Sequence, residues 1–257
     1  MFETESASQH HEFVVPSSRL HKPKLAYSFA RNPSEIAEAQ RLRYKVFSDE
    51  MGAELPGNDG LDKDGFDAFC DHLLVRDIES GEVVGTYRIL DPFMAEEAGG
   101  YYSASEFDLT RLMHLAPSMV ELGRSCVHPD YRNGATITML WSGLAKYMLT
   151  NNYEYALGCA SIPMGDGGQN AASLYRELRE KHLAPIEYRV FPHCPLPFAA
   201  FEQQSTTNCP PLLKGYLRLG AYICGEPHWD ADFNCADLLM LMPLSRMNPR
   251  YANHFMK

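Results

Sequence analysis

The sequence predicts an α/β fold with a mixed, partly antiparallel sheet. Two consecutive apolar stretches separated by Glu79-Ser80-Gly81 are typical of a β-hairpin. A later strand runs through a turn of small residues into a strongly amphipathic helix, and a further strand follows that helix. The order helix, hairpin, strand, helix, strand favours a mixed sheet over a doubly wound one.

The first predicted helix begins near Ser34, which is its expected cap. Residues 1–24 before it are expected to form a loose arm. Arg43 is spaced at helical intervals from Ile36 and Phe47, so it falls on the apolar stripe of this helix. That position predicts a buried or half-buried guanidinium.

Short apolar runs and the turns between them place the remaining elements. Residues 52–65 are expected to form a loop, and the proline-rich residues 185–211 an irregular excursion. We predict strands over 71–77, 82–90, 118–127, 155–162 and 236–242, and helices from 135, over 173–181 and 211–218, and from Pro249. Without a long linker, the expectation is one domain over residues 1–257 with an elaborated C-terminal region.

The negative net charge and the shortness of the apolar runs disfavour two classes of protein, nucleic-acid binders and membrane-spanning proteins. The 257 residues include 33 Asp and Glu against 23 Lys and Arg, a net charge of −10, which disfavours non-specific nucleic-acid binding. No apolar run approaches the roughly 20 residues of a transmembrane helix, and the first residues contain no signal core. We therefore expect a cytoplasmic protein, with peripheral membrane contact left open. The cysteine and histidine spacings predict no metal site.

The turn between the central strand and its helix exposes backbone donors. The predicted helix starts with two small residues, Gly134 and Ala135. They follow directly after Arg132 and Asn133. Such a turn presents free N–H groups and the positive end of the helix dipole, an arrangement that binds phosphate. An ordinary strand-to-helix connection is the alternative interpretation.

The stretch from Glu121 to Arg132 resembles the acyl-CoA pocket of the Gcn5-related N-acyltransferase superfamily. In that superfamily a loop of the form R/Q-x-x-G-x-G/A wraps the pyrophosphate of coenzyme A. Arg132 is present here, but the two glycine positions fall on Ala135 and Ile137, and a branched side chain at Ile137 crowds a close approach of diphosphate. The resemblance implies a Gcn5-related fold. The departure at Ala135 and Ile137 disfavours coenzyme A and leaves the phosphopantetheine thioester of acyl carrier protein as the expected donor, with no separate cofactor.

Two further sets of motifs resemble known enzyme families. Those similar to acyl-homoserine-lactone synthases are Arg43-Tyr-Lys-Val-Phe47, Asp64-Gly-Phe-Asp67, Gly85-Thr-Tyr-Arg88 and Glu121-x-x-Arg124. Those similar to the ornithine Nα-acyltransferases of bacterial ornithine-lipid synthesis are Phe66-Asp-Ala-Phe-Cys-Asp-His-Leu73, His128-Pro-Asp-Tyr-Arg132, Leu140-Trp141, Lys214-Gly-Tyr-Leu-Arg-Leu-Gly-Ala221 and Asp232-Phe-Asn-x-Ala-Asp237. The second resemblance implies transfer of a 3-hydroxyacyl group from acyl carrier protein to the α-amine of L-ornithine, which gives lyso-ornithine lipid. A lactone-type signal synthase, or transfer to another small amine, is the alternative.

Aminolysis of a thioester needs a neutral amine, a held carbonyl and a protonated leaving thiolate. Glu121 is the first choice for the base, and Arg124, Asp67 and Arg43 complete the expected catalytic set. The expected substrate-binding residues are Phe47, Asp64, Asp71, Arg88, Cys126 and Val127. The residues expected to bind the carrier and its phosphopantetheine arm are Arg132, Asn133, Gly134, Ala135, Lys214 and Arg218.

Two geometric expectations follow from these positions. Arg43 and Arg88 lie on apolar faces of their elements, and a buried Arg needs an anionic partner, so we expect a buried Arg–carboxylate cluster. Glu121 and Arg124 are three residues apart and would point to opposite faces of a regular strand. A β-bulge between them would bring both onto one face.

A rival motif is present in the first strand of the hairpin. His72 and Asp77 match the H-x-x-x-x-D pattern of glycerolipid acyltransferases, which use a His–Asp dyad. A separation of five residues along a strand places the two side chains on opposite faces. We therefore interpret this match as chance.

Overall fold

The computed structural model describes residues 24–55 and 59–247. The strands are Leu25–Phe29 (β1), Asp71–Asp77 (β2), Val83–Leu90 (β3), Phe107–Asp108 (β4), Met119–Val127 (β5), Tyr155–Pro163 (β6), Phe191–Pro192 (β7), Tyr222–Ile223 (β8), His228–Asp230 (β9) and Cys235–Pro243 (β10). The α-helices are Pro33–Tyr44 (α1), Pro92–Glu97 (α2), Ala135–Asn151 (α3), Gln169–His182 (α4) and Pro211–Leu219 (α5). A π-helical turn, Lys45–Glu50, extends α1. The 3-10 helices are Gly65–Phe69, Tyr102–Ser105, Thr110–Ser118, Pro129–Tyr131, Ile186–Tyr188, Phe198–Ala200 and Leu244–Arg246.

The mixed sheet is confirmed. Its order is β1-β2-β3-β5-β6-β10-β8, with β9 also paired to β10, and all of these pairings except β5–β6 are antiparallel. The predicted strand over 71–77 has the same bounds in the structure, and the other predicted strands differ by only a residue or so at their ends. Five short strands were not predicted, because two to five residues carry too little periodicity: β1, β4, β7, β8 and β9.

The start of α1 differs from the prediction. Its cap is Asn32, whose Oδ1 accepts the Glu35 N–H at 3.1 Å, and Ser34 lies inside the helix. Pro33 therefore occupies the first helical position, where its missing N–H costs nothing. The arm predicted for 1–24 lies outside the described residues except for Lys24, and the helix predicted from Pro249 lies wholly outside them. The single domain over 1–257 stays a prediction for the same reason.

Strands β5 and β6 pair over only a short part of their length. Their parallel ladder joins Met119–Glu121 to Tyr155–Leu157. A Cβ added at Gly158 would lie 2.2 Å from the Leu122 carbonyl oxygen, so the two backbones touch where the ladder ends. Beyond that point the two strands have no further ladder pairs, and a cavity opens between them.

A β-bulge in β5 confirms the predicted change of phase. Arg88 of β3 pairs with Gly123 and Thr86 pairs with Cys126, so β5 carries one extra residue between these pairs. Arg124 lies in the bulge with a φ of 48°. This left-handed conformation re-aims the side chains that follow Gly123.

Different helices cover the two faces of the sheet. A Cβ added at Gly85 would lie 2.6 Å from a methyl group of Thr136, so α3 packs directly on the face that Gly85 occupies. Arg88 lies on the opposite face, because side chains alternate along β3. This second face receives α1, whose Arg43 approaches the same carboxylate as Arg88. Within the described residues, no helix has the length and apolar character that crossing a membrane requires.

Candidate active site

A buried Arg–carboxylate cluster lies beneath the site, as predicted. Arg43 on α1 donates to Asp62 Oδ2 at 2.7 Å and to Asp67 Oδ1 at 2.9 Å, and its side chain is only 1% exposed. A third donor reaches the Asp62 carbonyl oxygen at 2.6 Å. The guanidinium therefore has anionic and backbone acceptors that compensate for its burial.

Arg88 and Arg124 extend this cluster toward the cavity. Arg88 donates to Asp64 Oδ1 at 2.6 Å and to Asp67 Oδ1 at 3.2 Å. Arg124 pairs with Asp64 Oδ2 at 3.1 Å and with Asp62 Oδ2 at 3.3 Å. Three arginines and three aspartates thus form one connected network in which formal charges cancel.

The loop before β2 is shaped to hold its carboxylates. Asp64 caps the 3-10 helix Gly65–Phe69 by accepting the Phe66 N–H at 2.9 Å, and the Asp67 side chain accepts the Asp64 N–H in return. This capping box fixes both side chains relative to the backbone. Burial alone would raise the pKa of Asp67, but hydrogen bonds from Arg43 and the charges of Arg43 and Arg88 outweigh burial and hold it well below its usual range.

The cavity between the diverging strands has a volume of about 740 Å³. Residues from the bulged part of β5 and from β6 line one part of it, and the π-helical turn and α5 line another. Its apolar wall includes Val46, Ile137, Leu212 and Trp141. Trp141 stacks on Tyr216 with ring centroids 6.4 Å apart, and the Tyr216 hydroxyl is hydrogen-bonded to that of Tyr87.

Glu121 lies buried in the wall of this cavity with both oxygens occupied. It accepts the Tyr102 N–H at 2.6 Å, the Ser103 N–H at 2.8 Å and the Ser103 hydroxyl. Burial raises the pKa of Glu121, and these donors only partly oppose that shift. The Arg124 guanidinium carbon lies 5.1 Å from the centroid of the Tyr102 ring. Since Glu121 accepts the backbone N–H of Tyr102, the bulge brings Glu121 and Arg124 to the same segment.

A second acidic group, which the sequence prediction did not include, also lines the cavity. It consists of Glu106, Asp230 and Asp237. The Cys159 thiol donates to Glu106 Oε2 at 3.2 Å, and the Cys235 thiol donates to Asp237 Oδ2 at 3.3 Å. Burial and neighbouring carboxylates raise the pKa of Glu106 to about 8, and burial raises that of Asp237 to about 6.

Strand register explains why Asp230 and Asp237 meet. Asp237 of β10 pairs with Ser161 of β6, and Cys235 pairs with Asp230 of β9. Paired residues and residues two apart share one face of a sheet, so these side chains are on the same face. Asp230, Cys235 and Asp237 also place one potential metal-ligand atom each within 4.8 Å of one another. Burial raises the pKa of the Cys235 thiol, which therefore keeps its proton and donates to Asp237.

The predicted site residues fall into three groups. Those that line the cavity are Phe47, Arg88, Glu121, Arg124, Cys126, Val127, Arg132, Gly134 and Arg218. Three residues lie behind the lining and are joined to it by ion pairs that involve Arg88 and Arg124: Arg43, Asp64 and Asp67. Asp71, Asn133, Ala135 and Lys214 do not line the cavity.

Asp71, which was predicted to bind substrate, lies away from the cavity. It is exposed on the face of the sheet that α3 covers, and its Oδ2 accepts the Tyr147 hydroxyl at 2.9 Å. Side-chain alternation along β2 accounts for this, because Asp71 pairs with Ile89 and so faces away from Arg88.

Three residues of the predicted carrier site also lie elsewhere than expected. Asn133 accepts the Ala135 N–H at 3.1 Å, so both are engaged in starting α3. Lys214 is exposed on the outer side of α5, whereas Gly215 and Tyr216 line the cavity.

The rival His–Asp pair is not a dyad. His72 Nε2 lies 3.1 Å from the Asp67 carbonyl oxygen, and Asp77 accepts the Tyr131 hydroxyl at 2.7 Å. Cys126 is buried at 6% exposure, and burial raises the pKa of its thiol to about 12, so it remains a neutral thiol that packs against α1.

Sequence reasoning missed several residues that shape the site. Asp62 has no local pattern that separates it from its acidic loop neighbours. Asp237 did carry a signal, because it is the one charged residue in the apolar run of β10. A carboxylate on the inward face of a central strand is uncommon unless it is paired or functional.

Comparison with known proteins agrees with this geometry. Residues 42–142 match the family model described as acetyltransferase (GNAT) domain. The chain is 38% identical over 244 residues to the L-ornithine N(alpha)-acyltransferase of Rhizobium meliloti (strain 1021), with 88% of this chain and 82% of that relative aligned. It is 37% identical over 254 residues to the enzyme of the same name from Agrobacterium fabrum, with 88% and 83% aligned.

The chain belongs to the L-ornithine Nα-acyltransferase family. It is therefore an N-acyltransferase with the Gcn5-related fold, as the resemblance implied. A CoA-dependent acyl-homoserine lactone synthase, BjaI, superimposes with a TM-score of 0.53 at 15% identity, covering 91% of this chain and 88% of that one. At that identity the likeness concerns the fold, and the family assignment rests on the curated relatives.

Proposed function

We propose that this family member transfers a fatty acyl group, in particular a 3-hydroxyacyl group, from acyl carrier protein to the α-amine of L-ornithine. The product is lyso-ornithine lipid. The observation that carries the proposal is one cavity of about 740 Å³ whose wall is apolar around Trp141 and acidic around Glu121. Such a wall suits an acyl chain beside a cationic amino acid. We also propose peripheral contact with the membrane that receives the amphipathic product.

The donor enters, in this proposal, along the free edge of β5. Because pairing with β6 ends at Glu121, the later backbone groups on that side are available to the amides of a phosphopantetheine arm. Ile137 lines the cavity at the first turn of α3, and its branched side chain disfavours a diphosphate there. Arg132 lines the same region and supplies a cation for the single phosphate of the arm.

The acceptor is held by charge in the proposed mechanism. Arg124 lies over the rings of Tyr102 and Phe233, at 5.1 and 4.7 Å from their centroids, and binds the acceptor carboxylate from within the cavity. Glu121 takes one proton from the α-ammonium group, directly or through a water molecule. Its raised pKa brings it closer to the pH at which it acts.

The reaction then proceeds by addition and elimination. The neutral amine attacks the thioester carbonyl, the carbon–nitrogen bond forms and the carbon–sulfur bond breaks. The second amine proton passes to the departing thiolate, while the proton on Glu121 is released to solvent. The Tyr216 hydroxyl lines the cavity as a further donor for the thiolate, in addition to its packing role.

The decisive experiment uses the purified chain with 3-hydroxyacyl carrier protein and L-ornithine. Fragmentation of the product by mass spectrometry should locate the acyl group on the α-nitrogen. Glu121→Gln should lower kcat by about 100-fold, the scale of a lost general base, while the matched surface variant Glu97→Gln on α2 retains activity. Lactone formation from S-adenosylmethionine without an ornithine product, or acylation of a different amine only, would overturn the proposal.

A further inference from the structure

The second acidic group is not neutralised by the protein. Arg88 and Arg124 are engaged with Asp62, Asp64 and Asp67, and Arg132 is engaged with Glu50. Among the described residues, neither Glu106, Asp230 nor Asp237 forms an ion pair with a Lys or Arg side chain. Glu106 and Asp237 are buried and Asp230 is half-buried, so the ionised form of this group is costly without a bound cation.

One oxygen in this group is unsatisfied. Asp237 Oδ1 has no hydrogen-bond partner among the described residues, although Asp237 is only 3% exposed. Its other oxygen already accepts the Cys235 thiol. A buried carboxylate oxygen in a cavity wall, without a donor, points to a donor that the ligand supplies.

We propose that Glu106, Asp230 and Asp237 form a subsite that binds the distal ammonium group of a diamino-acid acceptor. The inference rests on the proposed function and adds the residues that select a basic side chain. An ammonium group supplies three donors and one positive charge, which matches three carboxylates better than a neutral side chain does. Arg124 holds the acceptor carboxylate, so the two ends of the substrate meet opposite charges.

Selectivity follows from the same groups. A site that is built around a charged donor discriminates strongly against an analogue that lacks it, because its polar groups are then left unpaired. Norvaline has the carbon chain of ornithine without the distal amine, so it measures this discrimination directly. The carboxylates also disfavour acceptors with acidic side chains.

Binding of a cation at this subsite is coupled to proton release. The groups that face Glu106 are Asp237, Asp230, Glu121 and the Cys159 thiol, while His193 donates its backbone N–H to the Glu106 carbonyl. Those that face Asp237 are Ser161, Cys235, Asp230 and Arg124. With the pKa of Glu106 raised to about 8, this carboxyl is mostly protonated at pH 7. A bound distal ammonium lowers that pKa, so ornithine should displace more protons than norvaline.

The test compares ornithine with norvaline in the wild-type chain and in Glu106→Gln, Asp237→Asn and the surface control Glu97→Gln. We expect the subsite variants to raise KM for ornithine at least about tenfold, with little change for norvaline, so that the preference collapses. Calorimetry of the wild-type chain in buffers of different ionisation enthalpy should show more protons released with ornithine than with norvaline. This second measurement needs no variant and stands if a variant fails to fold.

The outcomes separate the inference from the proposed function. If the wild-type chain acylates no ornithine, the proposed function fails. If it acylates ornithine but the variants keep the preference, and ornithine releases no more protons than norvaline, only the subsite is wrong. A tightly held metal ion, found by elemental analysis of the purified chain and required for ornithine binding, would also overturn the subsite, because Asp230, Cys235 and Asp237 would then be its ligands.

Discussion

The thiol of Cys159 donates a hydrogen bond to the carboxylate of Glu106 across 3.2 Å. The same sulfur lies 3.5 Å from the hydroxyl of Ser103, which donates to Glu121. Ser103 and Cys159 therefore connect the proposed base to the proposed ammonium subsite. A substitution at Cys159 should therefore change the pKa of Glu106.

Replacing Cys159 with alanine should weaken ornithine binding in a pH-dependent way. The thiol hydrogen bond lowers the pKa of Glu106, so its loss raises that pKa above about 8 and reduces the ionised fraction at neutral pH. The smaller ionised fraction should raise KM for ornithine by roughly twofold to threefold at pH 7.5. At pH 9.5 Glu106 is ionised in both proteins, and the difference should vanish. Exposed Cys194→Ala is the control, and an equal KM increase at both pH values would contradict the prediction.

The buried Arg–carboxylate cluster should dominate the stability of the α1 packing. Asp62→Asn leaves the buried guanidinium of Arg43 without one anionic partner, which we expect to lower the free energy of unfolding by about 3 kcal/mol. Urea denaturation followed by circular dichroism measures the change. Asp59→Asn is the matched control, because its partner Lys63 is exposed and the midpoint should not move. Equal effects of the two variants would show that burial of the pair is unimportant.

The junction between β5 and β6 should tolerate no side chain at position 158. In Gly158→Ala the new Cβ meets the Leu122 carbonyl oxygen, a backbone atom that cannot move aside without shifting the strand. We expect a loss of about 1–3 kcal/mol in the free energy of unfolding, with a lower kcat/KM because the cavity opens at this point. Gly65→Ala, where a Cβ meets nothing within 4 Å, should leave both unchanged. A fully active and stable Gly158→Ala protein would show that the strands can separate freely.

Docking of an acidic carrier should depend on Arg132 and on its present partner. Glu50 pairs with Arg132 at 2.6 Å on the rim of the cavity and offsets its charge. Glu50→Gln should therefore lower KM for the acyl carrier protein, and Arg132→Glu should raise it, each by about threefold at low salt. KM for ornithine should not change.

The control for docking lies on the same helix that follows the Arg132 turn. Lys146→Glu changes an exposed charge on α3, about 17 Å along the helix axis from Ala135. It should leave carrier kinetics as in wild type. If Arg132→Glu and Lys146→Glu behave alike, the carrier responds to net charge rather than to a local docking surface.

Local patterns carried much of the fold prediction. The strand over 71–77, the helix from 135 and the burial of Arg43 follow from short-range periodicity, which the tertiary structure preserves. The bulge at Arg124 was also predictable, because Glu121 and Arg124 belong to one resemblance motif yet differ in phase. Strand β1 was not predictable, since its outer face is exposed and its apolar alternation is weak.

The amino-acid sequence by itself determined the order of helices and strands, the membership of a family and the need for anionic partners around Arg43 and Arg88. Only the tertiary structure decided which carboxylates lie together. Asp71 and Asp64 are close in the sequence, but alternation along β2 turns Asp71 to the α3 face while Asp64 meets the arginines. Glu106 and Asp237 are far apart in the sequence and share one cavity because β10 pairs with β6, whose Cys159 reaches Glu106. Pairing between strands that are far apart in the chain produces no short-range pattern in a single sequence. In this protein such pairing brings the carboxylates of the acidic group together.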